Sequence, residues 1–192
     1  MPKMSADEKR QSHERILKAA SRLFRERGIE ATSVADVMKA AGLTHGGFYR
    51  HFSSKDALVA AAFGHAVDEV LSAVEAAPTG PEQAVARGQY IANYLSAQHA
   101  EDRGQGCPLA AMGAEIARLY GTADIEVSDT VERMARVLDP DNGRATERGL
   151  ATVALLLGTI TLARLTKTPE LSDMVLDAGK RGTHLLEQHW QG

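Results

Sequence analysis

The stretch "AAGLTHGGFYRHFSSKDAL", residues 40–58, decides how this chain is read. Its surroundings favour helix, yet Gly46 and Gly47 stand side by side. Each glycine costs about 1 kcal/mol relative to alanine in a helix interior. Tyr49, Arg50, His51 and Lys55 follow at once. Bare backbone beside a cluster of hydrogen-bond donors marks a place where something outside the chain comes close.

Just upstream, "TSVADVMKAAG" predicts a short helix. Ser33 is its N-cap, Asp36 closes a capping box, and Val34, Val37 and Met38 point inward until Gly42 ends the element. A further short helix is expected from Thr44, as its own cap, to about His51. Phe48 and Phe52, four residues apart, should pin it to the core. Two helices joined by a glycine turn, the second short and polar-tipped, form the helix-turn-helix pattern. Ser33–Ala41 is then the support, and Thr44–His51 is the helix offered to a DNA major groove. Missing side chains at Gly46 and Gly47 let the backbone lie near the groove floor. Tyr49, Arg50, His51 and Lys55 supply donors for phosphate oxygens. A packing corner built from glycine and aromatics has the same local composition.

Moving outward, helical spacing dominates and strand alternation is nearly absent. Ile16, Leu17, Ala20, Leu23 and Phe24 stripe a first helix over 9–27. A capping-box-like start at Ser53 opens a long fourth helix that runs to "APTGP" at 77–81. Further helices are expected over 81–99, 108–120, 123–138, 144–166 and 169–189. The fold class is therefore all-α, with about nine helices: a three-helix unit over 1–55 and a larger helical body over 56–192. In the last helix Leu171, Val175, Ala178, Gly182, Leu185 and His189 alternate spacings of four and three. Gly158, Gly179 and Gly182 would let helices approach closely. A homodimer interface through the last two helices explains this apolar surface, although an ordinary buried pair fits the same periodicity.

Charge is unevenly spread. Residues 1–55 carry 11 Lys/Arg against 6 Asp/Glu, and the remainder 11 against 19. A basic head on an acidic body implies that the head alone meets a polyanion. The single cysteine, Cys107, excludes an intramolecular disulfide and suits a reducing, cytoplasmic setting. The longest charge-free run, 149–163, is short for a bilayer span of about 20 residues, so no membrane partner is expected. His99, Cys107 and Glu115 do not have the spacing of a metal site. No nucleophile pairs with a base at useful spacing. Neither a catalytic residue nor a cofactor is expected.

From Ile16 to Leu58 the chain resembles the DNA-binding domain of the TetR/AcrR family of one-component bacterial repressors. The matching pieces are the helix-1 stripe, "G-x-x-x-T-S-V", "A-G-L-T-x-G-x-F-Y-x-H-F" and "S-K-D-x-L". The resemblance implies that Thr44, His45, Gly46 and Gly47 approach bases, while Ser33, Tyr49, His51 and Lys55 hold phosphates. His45 departs from the frequent Lys or Arg at its place, which leaves base preference open. It further implies a double-stranded, palindromic operator and a small-molecule inducer in a mainly apolar cavity. Phe63, Val67, Tyr90, Tyr94, Cys107, Met112, Ile116 and Tyr120 are expected near that cavity. The segment "GQGCPLAAMGAEIARLYG", 104–121, resembles branches with a G-C-P-L sequence, some of which sense electrophiles or oxidants. Pro108 in the first turn would put Cys107 at an N-cap, where the helix dipole favours thiolate. A thiol-sensing repressor is thus an alternative, a helical thiol or metal enzyme is the rival class, and DNA binding without any small-molecule input is a third reading.

Overall fold

The structure, a computed structural model, describes residues 5–120, 127–140 and 144–190. Helix α1 (Ala6–Arg27) starts at a capping box in which the Ser5 side chain accepts from the Glu8 N–H and the Glu8 carboxylate from the Ser5 N–H. Its stripe of Ile16, Ala20, Leu23 and Phe24 is buried. Helix α2 (Val34–Ala40) opens on the expected Ser33–Asp36 box and buries Val37 and Met38. Its far end is held from α1. The Arg15 guanidinium donates to the carbonyls of Ala41 and Gly42, a cation on a helix C-terminus. Gly42 has φ 66°, and a Cβ there would meet Arg15 Nη2 at 2.7 Å.

The element after this turn differs from expectation. His45–Arg50 forms a 3₁₀ turn, not an α-helix, and Thr44 makes no side-chain cap. The adjacent glycines lower helix propensity in this short element, and short pieces are where 3₁₀ geometry occurs. Phe48 and Phe52 are buried, their rings 5.9 Å apart.

Helix α3 (Lys55–Glu75) is capped by Ser54, whose Oγ accepts the Ala57 N–H at 3.0 Å, and not by Ser53. Its 21 residues make a rod of about 30 Å. The rod packs on α1 and also on α4 (Pro81–Tyr94), α6 (Pro108–Tyr120) and α7 (Val127–Leu138). It therefore belongs to the head and the body at once. Arg133 on α7 forks onto Glu75 at 2.6 and 2.7 Å and reaches Asp68 at 2.7 Å.

The helix expected over 81–99 is broken. Helix α4 ends at Tyr94, and α5 (Ala97–Glu101) restarts behind Ser96, whose hydroxyl donates to the Asn93 carbonyl and accepts the His99 N–H. A 3₁₀ turn (Arg103–Gln105) leads into α6. The expected start of the next helix at 123 lies outside the described residues. Helices α8 (Glu147–Leu165) and α9 (Pro169–His189) close the body. A Cβ at Gly179 would lie 2.5 Å from Thr159 Cγ2 and one at Gly182 2.9 Å from Leu155 Cδ2. Gly158, expected to serve the same approach, faces open space. Among the described residues there is no strand. By length and composition α3 and α8 reach what a membrane crossing needs. The apolar face of α3 forms core. The outer face of α8 and α9 leaves Leu150, Leu162, Leu165, Leu171, Met174 and Leu185 exposed.

Candidate nucleic-acid interface and adjoining cavity

The head presents its 3₁₀ turn outward. Thr44, His45, Gly46, Tyr49 and Arg50 are exposed, Tyr49 to 72%, while Gly47, His51 and Lys55 are half-buried. Phe48 beneath them holds the turn down. A Cβ at Gly46 would meet nothing within 4 Å, and one at Gly47 only Met38 Cε at 3.6 Å. Neither glycine has a positive φ. Packing inside the chain thus gives no reason for glycine at 46. Ser33 is exposed, and its hydroxyl is committed to Asp36.

Beside the turn lies a cationic pocket of about 390 Å³ lined by Ala6, Lys9, Arg10 and His13 of α1 together with Arg50 and His51. His13 stacks on Phe52 with centroids 4.7 Å apart and lies 5.8 Å from His51. His51 Nδ1 is buried and has no hydrogen-bond partner among the described residues. Burial, then the charges of His13, Lys9 and Arg50, lower the imidazole's pKa below its ordinary value. Arg10 is shared with Asp7 at 2.9 Å. Lys9, Arg10 and His13 escaped the sequence reading because they stand some forty residues before the motif. Only the folding of α1 against the turn brings them there.

Side-chain hydrogen bonds tie the head to the body. The Glu115 carboxylate of α6 accepts the N–H groups of Ile29 and Glu30, both at 2.9 Å. Arg25 of α1, its side chain 3% exposed, donates to the Gly106 carbonyl at 3.0 Å and to Glu69 of α3 at 2.8 Å.

Gly106 borders a cavity of about 440 Å³ lined by residues from the end of α3 to Cys107, among them Tyr90, Tyr94 and His99. His99 contacts the Tyr94 carbonyl through Nδ1 at 2.6 Å and accepts the Cys107 N–H through Nε2 at 3.0 Å. Those roles fix the neutral tautomer, in keeping with a pKa lowered mainly by burial.

A family model, "Bacterial regulatory proteins, tetR family", matches residues 16–62. A helix-turn-helix-type transcriptional regulator of Mycobacterium tuberculosis is 30% identical over 177 residues, covering 84% of this chain and 89% of that one. The chain belongs to the TetR family. Solved structures agree on the fold. A TetR regulator from Chloroflexus aurantiacus superposes with a TM-score of 0.70 at 24% identity, covering 93% of this chain and 96% of the other. The multidrug binding protein EbrR, solved with imidazole, gives 0.62 at 23% identity over 94% and 93%.

For this TetR-family regulator the residues expected around a ligand divide into two groups. Tyr90, Tyr94 and Cys107 line the cavity. Phe63, Val67, Met112 and Ile116 sit in the packed core, at most 3% exposed, away from its wall. Apolar periodicity marks a buried face and does not distinguish core from cavity lining. The side chain of Tyr120 lies outside the described residues. Missed were Val70, Asn93, Ser96, Gln98, His99, Asp102 and Gln105. Ser96, with its local cap onto the His99 N–H, was the available signal for the break that gathers most of them. The expected drift of Cys107 toward thiolate is reversed. The side chain is 2% exposed, and burial pushes the thiol up, against smaller lowering contributions from Tyr94, the Ala110 and Leu109 amides and Arg164. Desolvation outweighs the helix N-terminus here. The conceivable metal ligands are engaged elsewhere: both His99 ring nitrogens face the backbone of Tyr94 and Cys107, and the Glu115 carboxylate accepts from Ile29 and Glu30.

Proposed function

We propose that this TetR-family chain is a homodimeric repressor released from DNA by a small molecule. Residues 1–55 hold the operator, and residues 56–192 bind the inducer and pair the subunits. The observation that carries the DNA-binding part is Gly46, a helical-turn residue with no internal need for glycine, set among exposed donors on a turn anchored by Phe48. Thr44, His45, Gly46 and Gly47 meet base edges. Ser33, Tyr49, Arg50, His51 and Lys55 meet phosphates, joined by Lys9, Arg10 and His13 from α1. The exposed leucines of α8 and α9 are paired by a second copy, which sets two turns on a palindromic cytoplasmic operator, about one helical turn or a multiple apart.

Release needs a link between cavity and head. Arg25 supports one, since it holds the carbonyl of Gly106, next to the cavity residue Cys107, from a helix that forms the head. The binding of ligands by a relative such as EbrR supports the same reading. The inducer must prefer the state that does not fit DNA.

Site selection from random duplexes followed by mobility shifts tests this. A palindromic site should emerge, with affinity falling steeply as salt rises. Lys9→Ala should weaken all duplexes alike and reduce the salt slope by about 1. A folded, paired protein that selects no duplex at low salt overturns the proposal.

A further inference from the structure

Tyr90 and Tyr94 stand one turn apart on α4, with ring centroids 5.9 Å apart and planes at 51°. Both rings line the cavity. Both hydroxyls are shut off from solvent and lack a hydrogen-bond partner among the described residues. Buried polar groups are nearly always paired, so two adjacent orphans call for an explanation. The thiol of Cys107 lies with them. The Tyr94 hydroxyl has only this sulfur, a weak acceptor, beside it among the described residues, and the thiol influences both phenols. Burial raises the pKa of all three groups, so each keeps its proton.

Acceptors nearby are committed elsewhere. His99 uses Nδ1 on the Tyr94 carbonyl and Nε2 on the Cys107 N–H. The carbonyls of His99 and Ala100 receive Arg164, and that of Gly106 receives Arg25. No Lys or Arg lines the cavity, and Asp102 is the lining carboxylate. An anion entering here would meet the Asp102 carboxylate at the wall, while the Arg164 guanidinium behind it is already taken by the carbonyls of His99 and Ala100.

We infer, building on the inducer-binding reading, that the ligand is an uncharged molecule bearing a carbonyl-type oxygen that accepts the Tyr90 and Tyr94 hydroxyl protons. The tilted rings bracket its apolar part. Asn93, Gln98 and Gln105 stay hydrated at the mouth, where they are exposed. A ketone, ester or amide satisfies the orphans. A hydrocarbon of equal shape leaves them unpaired, and a carboxylate is turned away by Asp102.

Calorimetric titration of the protein with acetophenone, ethylbenzene and benzoate tests the assignment. Acetophenone should bind at least tenfold more tightly than ethylbenzene, and benzoate should bind more weakly still. Tyr90→Phe and Tyr94→Phe should each weaken acetophenone five- to tenfold and leave ethylbenzene unchanged. Both variants should melt no lower than the parent, because each removes an unpaired hydroxyl. Equal affinity for the ketone and the hydrocarbon, preference for benzoate, no binding of any probe, or indifference to both substitutions overturns the inference. If another ligand class releases the operator and the Phe variants respond normally, the repressor reading survives and the carbonyl assignment falls. If acetophenone binds as expected without altering DNA affinity, the carbonyl assignment stands and the release reading falls.

Discussion

Two corners of this molecule combine aromatics with hydrogen-bond donors, and they point in opposite directions. The turn at 44–51 exposes Tyr49 and Arg50 on open backbone above a buried Phe48. The corner at 90–107 hides the Tyr90 and Tyr94 hydroxyls and the Cys107 thiol around a cavity. Outward donors suit a large polyanion whose phosphates come to the surface. Inward donors suit a small guest that must leave water to reach them. The same residue types are suited to different chemistry because their solvation differs.

The comparison can be broken most severely at Phe48. Phe48→Ala should destabilise the head by about 3–5 kcal/mol and abolish specific DNA binding. Ligand titration of the body should be affected far less. Equal losses at both corners, by denaturant melts and calorimetry, would show that they are not separately built.

Glu115→Gln comes next. Ile29 and Glu30 donate to different carboxylate oxygens, so in the glutamine one of these N–H groups faces an NH2 donor, and a loss of about 1.5–3 kcal/mol is expected. Ligand binding should also move DNA affinity less in this variant. Unchanged coupling in mobility shifts with and without ligand would leave Arg25 as the link.

Gly46→Ala separates stability from function. A Cβ meets nothing there, so the melting point should hold or rise slightly. DNA affinity should fall at least tenfold, about 1.4 kcal/mol. Undiminished binding would return Gly46 to a packing role.

The smallest effect concerns pH. The His99 pKa is lowered in the folded state, so the unfolded chain takes up a proton first as pH falls. The stability contribution is complete above the ordinary imidazole pKa of about 6.5 and is lost progressively below it, toward the depressed folded value. Acid melts of the parent should show this slope, and His99→Gln should reduce it, leaving the part contributed by His51, whose pKa is also lowered. A parent curve that is flat between pH 7 and 5 would contradict the neutral ring.

Much of the head was legible because its signals are local. The Ser33–Asp36 box, the glycine turn and the Phe48/Phe52 pair lie within twenty residues, and each acts through neighbours in the chain. The cap on α3 moved by one residue to Ser54, and the recognition element tightened to 3₁₀ geometry. The body was less legible. Phe63, Val67, Met112 and Ile116 share their helical spacing with true cavity residues, and nothing local separates filled space from empty.

By itself, then, the amino-acid order determined an all-helical chain with a basic, glycine-bearing turn near its beginning, since propensity, capping and charge act over a few residues. Tertiary structure alone decided that Glu115 would seat on Ile29 and Glu30, 86 and 85 residues away. It also decided that Lys9 and His13 would flank His51 and that Cys107 would stay a protonated, buried thiol. Those outcomes depend on which surfaces meet and how much water they exclude, and no local pattern carries that information.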